Sequence, residues 1–252
     1  MSAPNVWQAV EYAYAHEEVL ADAQRRFALA AQHLFEPHAV ELSASSAGKC
    51  VLDVWAYLHD RYDLPENRET ELAKMDGGTL YGARIAALFA AGYEKIHPWA
   101  TVEIETQVEH EGIPGHLDIV IRPGEAIADV WIVEVKTTFS TFPFAGPPDY
   151  HVIQAAKYAL AEGAPGFSVF TLLPAAQRRK GEPARFHHQA DFATADWQGR
   201  VAREYERLEK ARFDTPPLAD PQEAWRCTYC RFGACPQNPR HDPLALEEEF
   251  VL

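Results

Sequence analysis

The sequence predicts an α/β protein, and three observations carry the prediction. Apolar residues recur at helical spacing up to Tyr93, the period then shortens to two over Val102 to Glu109, and a helical stretch near Tyr150 to Glu162 leads into an apolar run, Phe167 to Leu173. The chain has 252 residues, 47% of them apolar and 24% charged, which is enough to bury a sizeable core. No segment approaches the ~18–20 uninterrupted apolar residues that span a bilayer, and Met1 to Gln32 is too rich in Glu, Asp, Arg and His for a secretory leader. A cytoplasmic protein without a membrane partner is the expectation.

Trp7 to Leu34 reads as one or two amphipathic helices. Ser43, Ser45 and Ser46 offer N-caps for a helix from about Ala47 to Arg61, and Pro65 and Asn67 mark a loop. Thr79 to Tyr93 is a third helix with Leu80, Ile85, Leu88 and Phe89 on its apolar side. Val102, Ile104, Thr106 and Val108 alternate with Glu103, Glu105, Gln107 and Glu109 as a half-buried strand does. Gly112, Pro114 and Gly115 supply a turn, Leu117 to Ile121 a second strand, and Asp129 to Thr138 a third, after a break at Arg122, Pro123 and Gly124. A Pro- and Phe-rich loop, Phe139 to Pro148, precedes the helix near Tyr150 to Glu162. Arg185 to Gln189 suits an edge strand, and Asp196 to Arg212 a helix charged nearly all round.

The formal charge of −14 argues against a sequence-independent DNA coat, which needs a basic surface to displace counterions. It leaves room for an enzyme with a local groove, since clustered carboxylates that hold divalent cations also make a chain acidic.

Two lone carboxylates interrupt the apolar strands. Glu134 and Lys136 are two apart and project from one face, with Ile132 beside them and Val133 and Val135 opposite; Asp118 sits inside Leu117-Asp118-Ile119-Val120-Ile121. An acid buried in such a run is costly unless partnered. A hairpin pairing of the two strands sets Asp118 beside Glu134, two hard oxygen ligands suited to Mg²⁺ or Mn²⁺, and puts Lys136 where negative charge develops at a scissile phosphate. Taken singly, an Asp or a Glu-x-Lys is also an ordinary salt-bridge residue.

The series Gly115-His116-Leu117-Asp118, Glu134-Val135-Lys136 and Gln154-Ala155-Ala156-Lys157-Tyr158 resembles the G-x-x-D, E-x-K and Q-x-x-x-Y motifs of the PD-(D/E)xK nuclease superfamily in its RecB-like iron–sulfur branch. Within that branch it is similar to the fourth of the CRISPR-associated exonucleases and their phage-borne relatives. The resemblance implies a restriction-endonuclease-like mixed sheet flanked by helices, with a helical N-terminal elaboration and a C-terminal iron–sulfur segment. It implies a core near residues 95–190 in a single nuclease domain, and a metal-dependent exonuclease acting on DNA, single strands by preference. Asp118 and Glu134 would be metal ligands, Lys136 catalytic, and Gln154 and Tyr158 supporting. Implied partners are proteins of CRISPR adaptation or phage recombination. The branch often carries a metal-binding histidine in a G-x-x-x-H context; after Gly82, Ala86 stands in its place. Either water or another group fills that position, or Mn²⁺ binds more weakly, or the chain is a catalytically weak DNA-binding or adaptor protein on the same fold.

Cys227, Cys230 and Cys235 are spaced C-x2-C-x4-C, and Cys50 is the fourth cysteine of the chain. Three thiolates so close repel without a cation between them, and tetrahedral Zn²⁺ or a 4Fe–4S cluster each takes four such ligands. The pattern resembles the iron–sulfur staple of RecB-like nucleases, with the last gap one residue short. That implies a structural 4Fe–4S cluster on Cys50, Cys227, Cys230 and Cys235, joining residues 43–62 to 222–240; a zinc-stabilised protein with no nucleic-acid role and unligated cysteines are the other readings. Phe142 or Phe144 suits stacking on bases or plugging the edge of the core. Arg178-Arg179-Lys180 and Arg203, Arg207, Lys210 and Arg212 suit phosphate contacts or solvated faces.

Overall fold

Five strands form one mixed sheet whose spatial order follows the chain, β1-β2-β3-β4-β5. In this computed structural model the described residues are 3–32, 41–61, 68–124, 130–138, 144–177 and 185–220, with the single positions Cys227, Cys235 and Gln237; the side chains of 68–76, 174–177 and 185 are not described. The loop at Pro65 and Asn67, Phe139, Phe142, Arg178-Arg179-Lys180 and Cys230 lie outside the described residues.

The strands are β1 (Ala100–His110), β2 (Ile113–Pro123), β3 (Trp131–Thr137), β4 (Gly166–Gln177) and β5 (Arg185–Ala193). The pairs β1–β2, β2–β3 and β4–β5 are antiparallel, whereas β3 and β4 run parallel. A parallel pair needs a crossover, and helix α5 (Asp149–Ala161) supplies it. The helices α1 (Val6–Ala15), α2 (Glu17–Ala31), α3 (Val51–Leu58), α4 (Arg68–Ile96) and α6 (Gln198–Leu208) complete the layers. The mixed sheet flanked by helices is the expected fold class.

Both faces of the sheet are covered, which explains the near-continuous apolar runs of β2 and β3. Ile119, Ile121, Trp131, Val133 and Val135 pack with α1, α2 and α4; Val120, Ile132, Phe167 and Val169 pack with α3, α5 and α6. Glu94 of α4 ties the first layer together by accepting from Arg26 Nη2 at 2.5 Å and from Val102 N at 2.8 Å. The N-terminus docks on the far edge strand: Gln189 accepts from Val6 N at 3.1 Å and donates to Pro4 O at 2.6 Å.

Several boundaries differ from the sequence expectation. The Ser43 side chain closes a capping box on the short turn Ala44–Ser46, so α3 begins only at Val51. α4 starts well before Thr79, and Leu80 is exposed rather than on the apolar side, while Ile85, Leu88 and Phe89 are buried. The hairpin turn is Glu111–Gly112, so Pro114 and Gly115 lie within β2. The helix near Asp196 to Arg212 is not charged all round: Val201, Tyr205 and Leu208 bury a stripe that the flanking charges hide in the sequence.

Gly92 marks the closest approach of α1 and α4, where an added Cβ would lie 2.0 Å from Ala9 O; around Gly82 in the same helix nothing lies within 4 Å. Gly92→Ala should lower the stability measured by urea unfolding by about 1–3 kcal/mol through overpacking. Gly82→Ala should raise it by roughly 0.5–1 kcal/mol through helix propensity alone.

Candidate active site

The β2–β3 ladder runs through Ile121–Trp131, Val120–Ile132 and Ile119–Val133. One further step in that register sets Asp118 opposite Glu134. Main-chain pairing stops there, and the Asp118 carboxylate accepts from Val135 N at 2.6 Å. This bond fixes the Asp118 side chain against β3. Glu134 is 1% exposed, and its Oε1 lies 2.5 Å from Lys136 Nζ. Its other oxygen, Oε2, is buried with no hydrogen-bond partner. A buried carboxylate oxygen left unpaired is costly, and a cation is the group that would satisfy it. The residues present therefore fit a hard divalent ion. As the side chains stand, no three His, Cys, Asp or Glu among the described residues are gathered tightly enough to hold one.

Electrostatics follow from this crowding. Burial, then the charge of Asp118, pushes the Glu134 carboxyl up to about 8, with Lys136 opposing. Asp118 is raised too, by burial against the pull of Lys136 and the Val135 hydrogen bond. Burial works against the Lys136 ammonium, but Glu134 and Asp118 outweigh it and hold the group above the ordinary lysine range. Lys136 is thus a fixed positive charge.

Helix α5 backs the site. It is buried from Val152 to Ala159, so it has no exposed polar face of the usual amphipathic kind. Gln154 Nε2 donates to the Tyr158 hydroxyl at 3.1 Å, and burial followed by the Glu134 charge raises the Tyr158 pKa well above the ordinary value. Gly115 makes room for that ring: a Cβ there would lie 2.4 Å from Tyr158 Cε1. Glycine is needed at this position so that the helix can seat Tyr158 against β2.

Three residues here escaped the sequence reading. His151, one turn before Gln154, has a buried Nδ1 without a partner, and burial plus the Lys136 charge pushes its imidazole down to about 3. Thr171 stands across from Lys136 in the β3–β4 ladder with its hydroxyl buried and unpaired. Glu105 of β1 has its carboxyl pushed up to about 8 by burial, then by Asp118 and Glu134. Its place in an alternating run made it look like one more solvent-facing strand residue. The signal was the spacing: Glu105 lies as far before the Glu111–Gly112 turn as Asp118 lies after it.

Ala86, at the position of the expected histidine, is fully buried among apolar side chains between α4 and the sheet. Cys235 is buried in the α3–α5–α6 core, and Cys50 is packed against that same cluster; Cys227 is half-buried. Phe144 lies edge-on to His188, ring centroids 5.3 Å apart. The basic series on α6 is internally paired, Arg207 with Glu204 at 2.7 Å and with Asp220, and Arg212 with Glu209 at 3.2 Å.

The raised carboxyls give a pH dependence with a definite sign. Glu134 and Glu105 bind protons more tightly folded than unfolded, so their contribution to stability is full below the ordinary value of 4.5 and is lost as pH rises through about 8. In EDTA the urea midpoint should fall across that window, and Glu134→Gln should flatten the fall and raise the midpoint above pH 8.

Comparison with known proteins supplies the relationship. A crystal structure of SSO0001 is similar at 18% identity and a TM-score of 0.43, covering 88% of this chain and 98% of that one. No curated protein matches the chain. No helix among the described residues is long and apolar enough to cross a membrane. The family model of the PD-(D/E)XK nuclease superfamily matches residues 18–236, which takes in the whole sheet, the paired carboxylates and α5. The chain belongs to the PD-(D/E)XK nuclease superfamily.

Proposed function

We propose that the protein is a divalent-metal-dependent DNA exonuclease in which Asp118 and Glu134 hold Mg²⁺ or Mn²⁺ and Lys136 is catalytic. The observation that carries this reading is the meeting of Asp118 and Glu134 across β2 and β3, with one Glu134 oxygen on Lys136 and the other buried and unpartnered. When bound, the cation supplies positive charge at the scissile phosphate and acidifies an attacking water.

The chain's own groups do the rest. The Val135 N–H holds Asp118 in place, so its carboxylate needs no reorganisation on binding. Lys136 stays protonated at the pH of function and faces charge building on phosphate oxygens. Gln154 and Tyr158 form one buried hydrogen-bonded unit on α5, close enough to Glu134 for its charge to act on the Tyr158 hydroxyl. Lys136, Thr171 and His188 form a row across β3, β4 and β5, and Phe144 packs on the last of them. A base stacked on Phe144 would put its phosphate along that row, which supports a single strand as substrate. Cys50, Cys227, Cys230 and Cys235 hold a structural 4Fe–4S cluster in this reading; the support is the shared core environment of Cys50 and Cys235 at opposite ends of the chain.

End-labelled single strands with Mn²⁺ test the activity. Glu134→Gln and Lys136→Ala should each lower the cutting rate by at least about 10²-fold, and residual cutting equal in wild type and Glu134→Gln would favour a DNA-binding adaptor. Phe144→Ala should weaken single-strand affinity roughly 5- to 100-fold, in line with the loss of one stacked base. Anaerobically purified protein should contain about four iron atoms and as many acid-labile sulfides per chain, and Cys50→Ser should lose them.

A further inference from the structure

We infer that Glu105 is a third carboxylate of the metal site, closing with Asp118 and Glu134 on one divalent cation. The inference rests on the reading of Asp118 and Glu134 as metal ligands and extends it to a residue on a third strand.

The backbone singles out this glutamate. Among the described residues, three non-glycine residues have left-handed φ: Asp60, which follows α3, Glu111 in the hairpin turn, and Glu105 at +52° in the middle of β1. Left-handed geometry is ordinary after a helix and in a turn, but in mid-strand it is a strained exception of the kind that gathers at functional sites. Every β1 residue from Ala100 to His110 pairs with β2 except Glu105, whose neighbours pair as Ile104–Ile119 and Thr106–Leu117. The register on either side of the break leaves Asp118 as its counterpart, and one step beyond Ile119–Val133 sets Asp118 against Glu134. Three acids thus stand in a row across three adjacent strands.

The break also turns the hairpin over. Val102, Ile119 and Ile121 pack in the core on the α4 side, whereas Val108, Ile113 and Leu117 pack on the α5 side. A glycine would make that change of face at lower cost, since only glycine enters the left-handed region freely. The chain carries a carboxylate there, between two cores and beside two other carboxylates.

Charge and ligand chemistry agree. Once all three acids are ionised, they and Lys136 sum to two negative charges, which a divalent cation balances. The unpartnered Glu134 Oε2, enclosed in the same place, independently calls for a cation. As the side chains stand the three acids are not gathered around one point, so closing on a cation requires the Glu105 side chain to move toward Asp118 and Glu134. Ala86 contributes no imidazole, and the three carboxylates offer oxygen donors. Such a set suits Mg²⁺ and Mn²⁺ over Zn²⁺ and Ni²⁺.

Mn²⁺ binding, followed by the loss of the free-ion electron paramagnetic resonance signal, tests this without reference to activity. Wild type should bind Mn²⁺, Glu134→Gln should abolish binding, and Glu105→Gln should weaken it at least fivefold. Glu105→Gly keeps the left-handed turn without the carboxylate; it should match Glu105→Gln in Mn²⁺ affinity while melting at a higher temperature than wild type. If both Glu105 variants bind within twofold of wild type while Glu134→Gln does not bind, Glu105 is only a backbone hinge and the two-carboxylate site stands. If Glu134→Gln binds Mn²⁺ as wild type does, the reading of Asp118 and Glu134 fails, and the role of Glu105 fails with it.

Discussion

The structure turns on two carboxylates forced together inside a sheet whose two faces are both buried. Asp118 and Glu134 meet because β2 and β3 are antiparallel in one particular register. A slip of one residue would swing both acids to the opposite core and bring isoleucine and valine to the site. Lys136 offsets only part of the resulting charge. The rest of the molecule is arranged to tolerate this conflict: the Val135 amide is turned to Asp118, and α5 lies buried behind Glu134. Polar groups this expensive to bury are retained where chemistry needs them.

Much of this was legible from residue types and spacing. Isolated acids in apolar runs betrayed Asp118 and Glu134, because solvent-facing carboxylates have no reason to sit among Val and Ile. The period of two gave β1, and the apolar runs gave β2, β3 and β4, because strands buried on both faces lose their alternation. The parallel β3–β4 pair follows from a helix between them that is long enough to cross over. What could not be read depends on tertiary geometry. The left-handed turn at Glu105 interrupts a flawless alternation, so local pattern does not show the break in the ladder. The capping box at Ser43 looks in sequence like the start of a longer helix, and only packing places the next turn at Val51. The buried stripe of α6 is three residues wide and outnumbered by charge.

Superfamily membership and site chemistry are separate matters here. The fold supplies a rigid frame that brings β1, β2 and β3 side by side and sets α5 across them, and it does so whether or not the acids hold an ion. The buried Ala86 shows that the α4 side of this frame is filled with apolar packing at that position. His151, with its low pKa, is a neutral imidazole beside Lys136, and it adds a hydrogen-bonding edge without adding charge.

The most direct test of the central claim is anomalous scattering from crystals soaked with Mn²⁺. If Asp118 and Glu134 share the ion, one strong peak lies between their carboxylates, within coordination distance of both. Ordered crystals that take up Mn²⁺ at other positions and leave that space without a peak would contradict that claim.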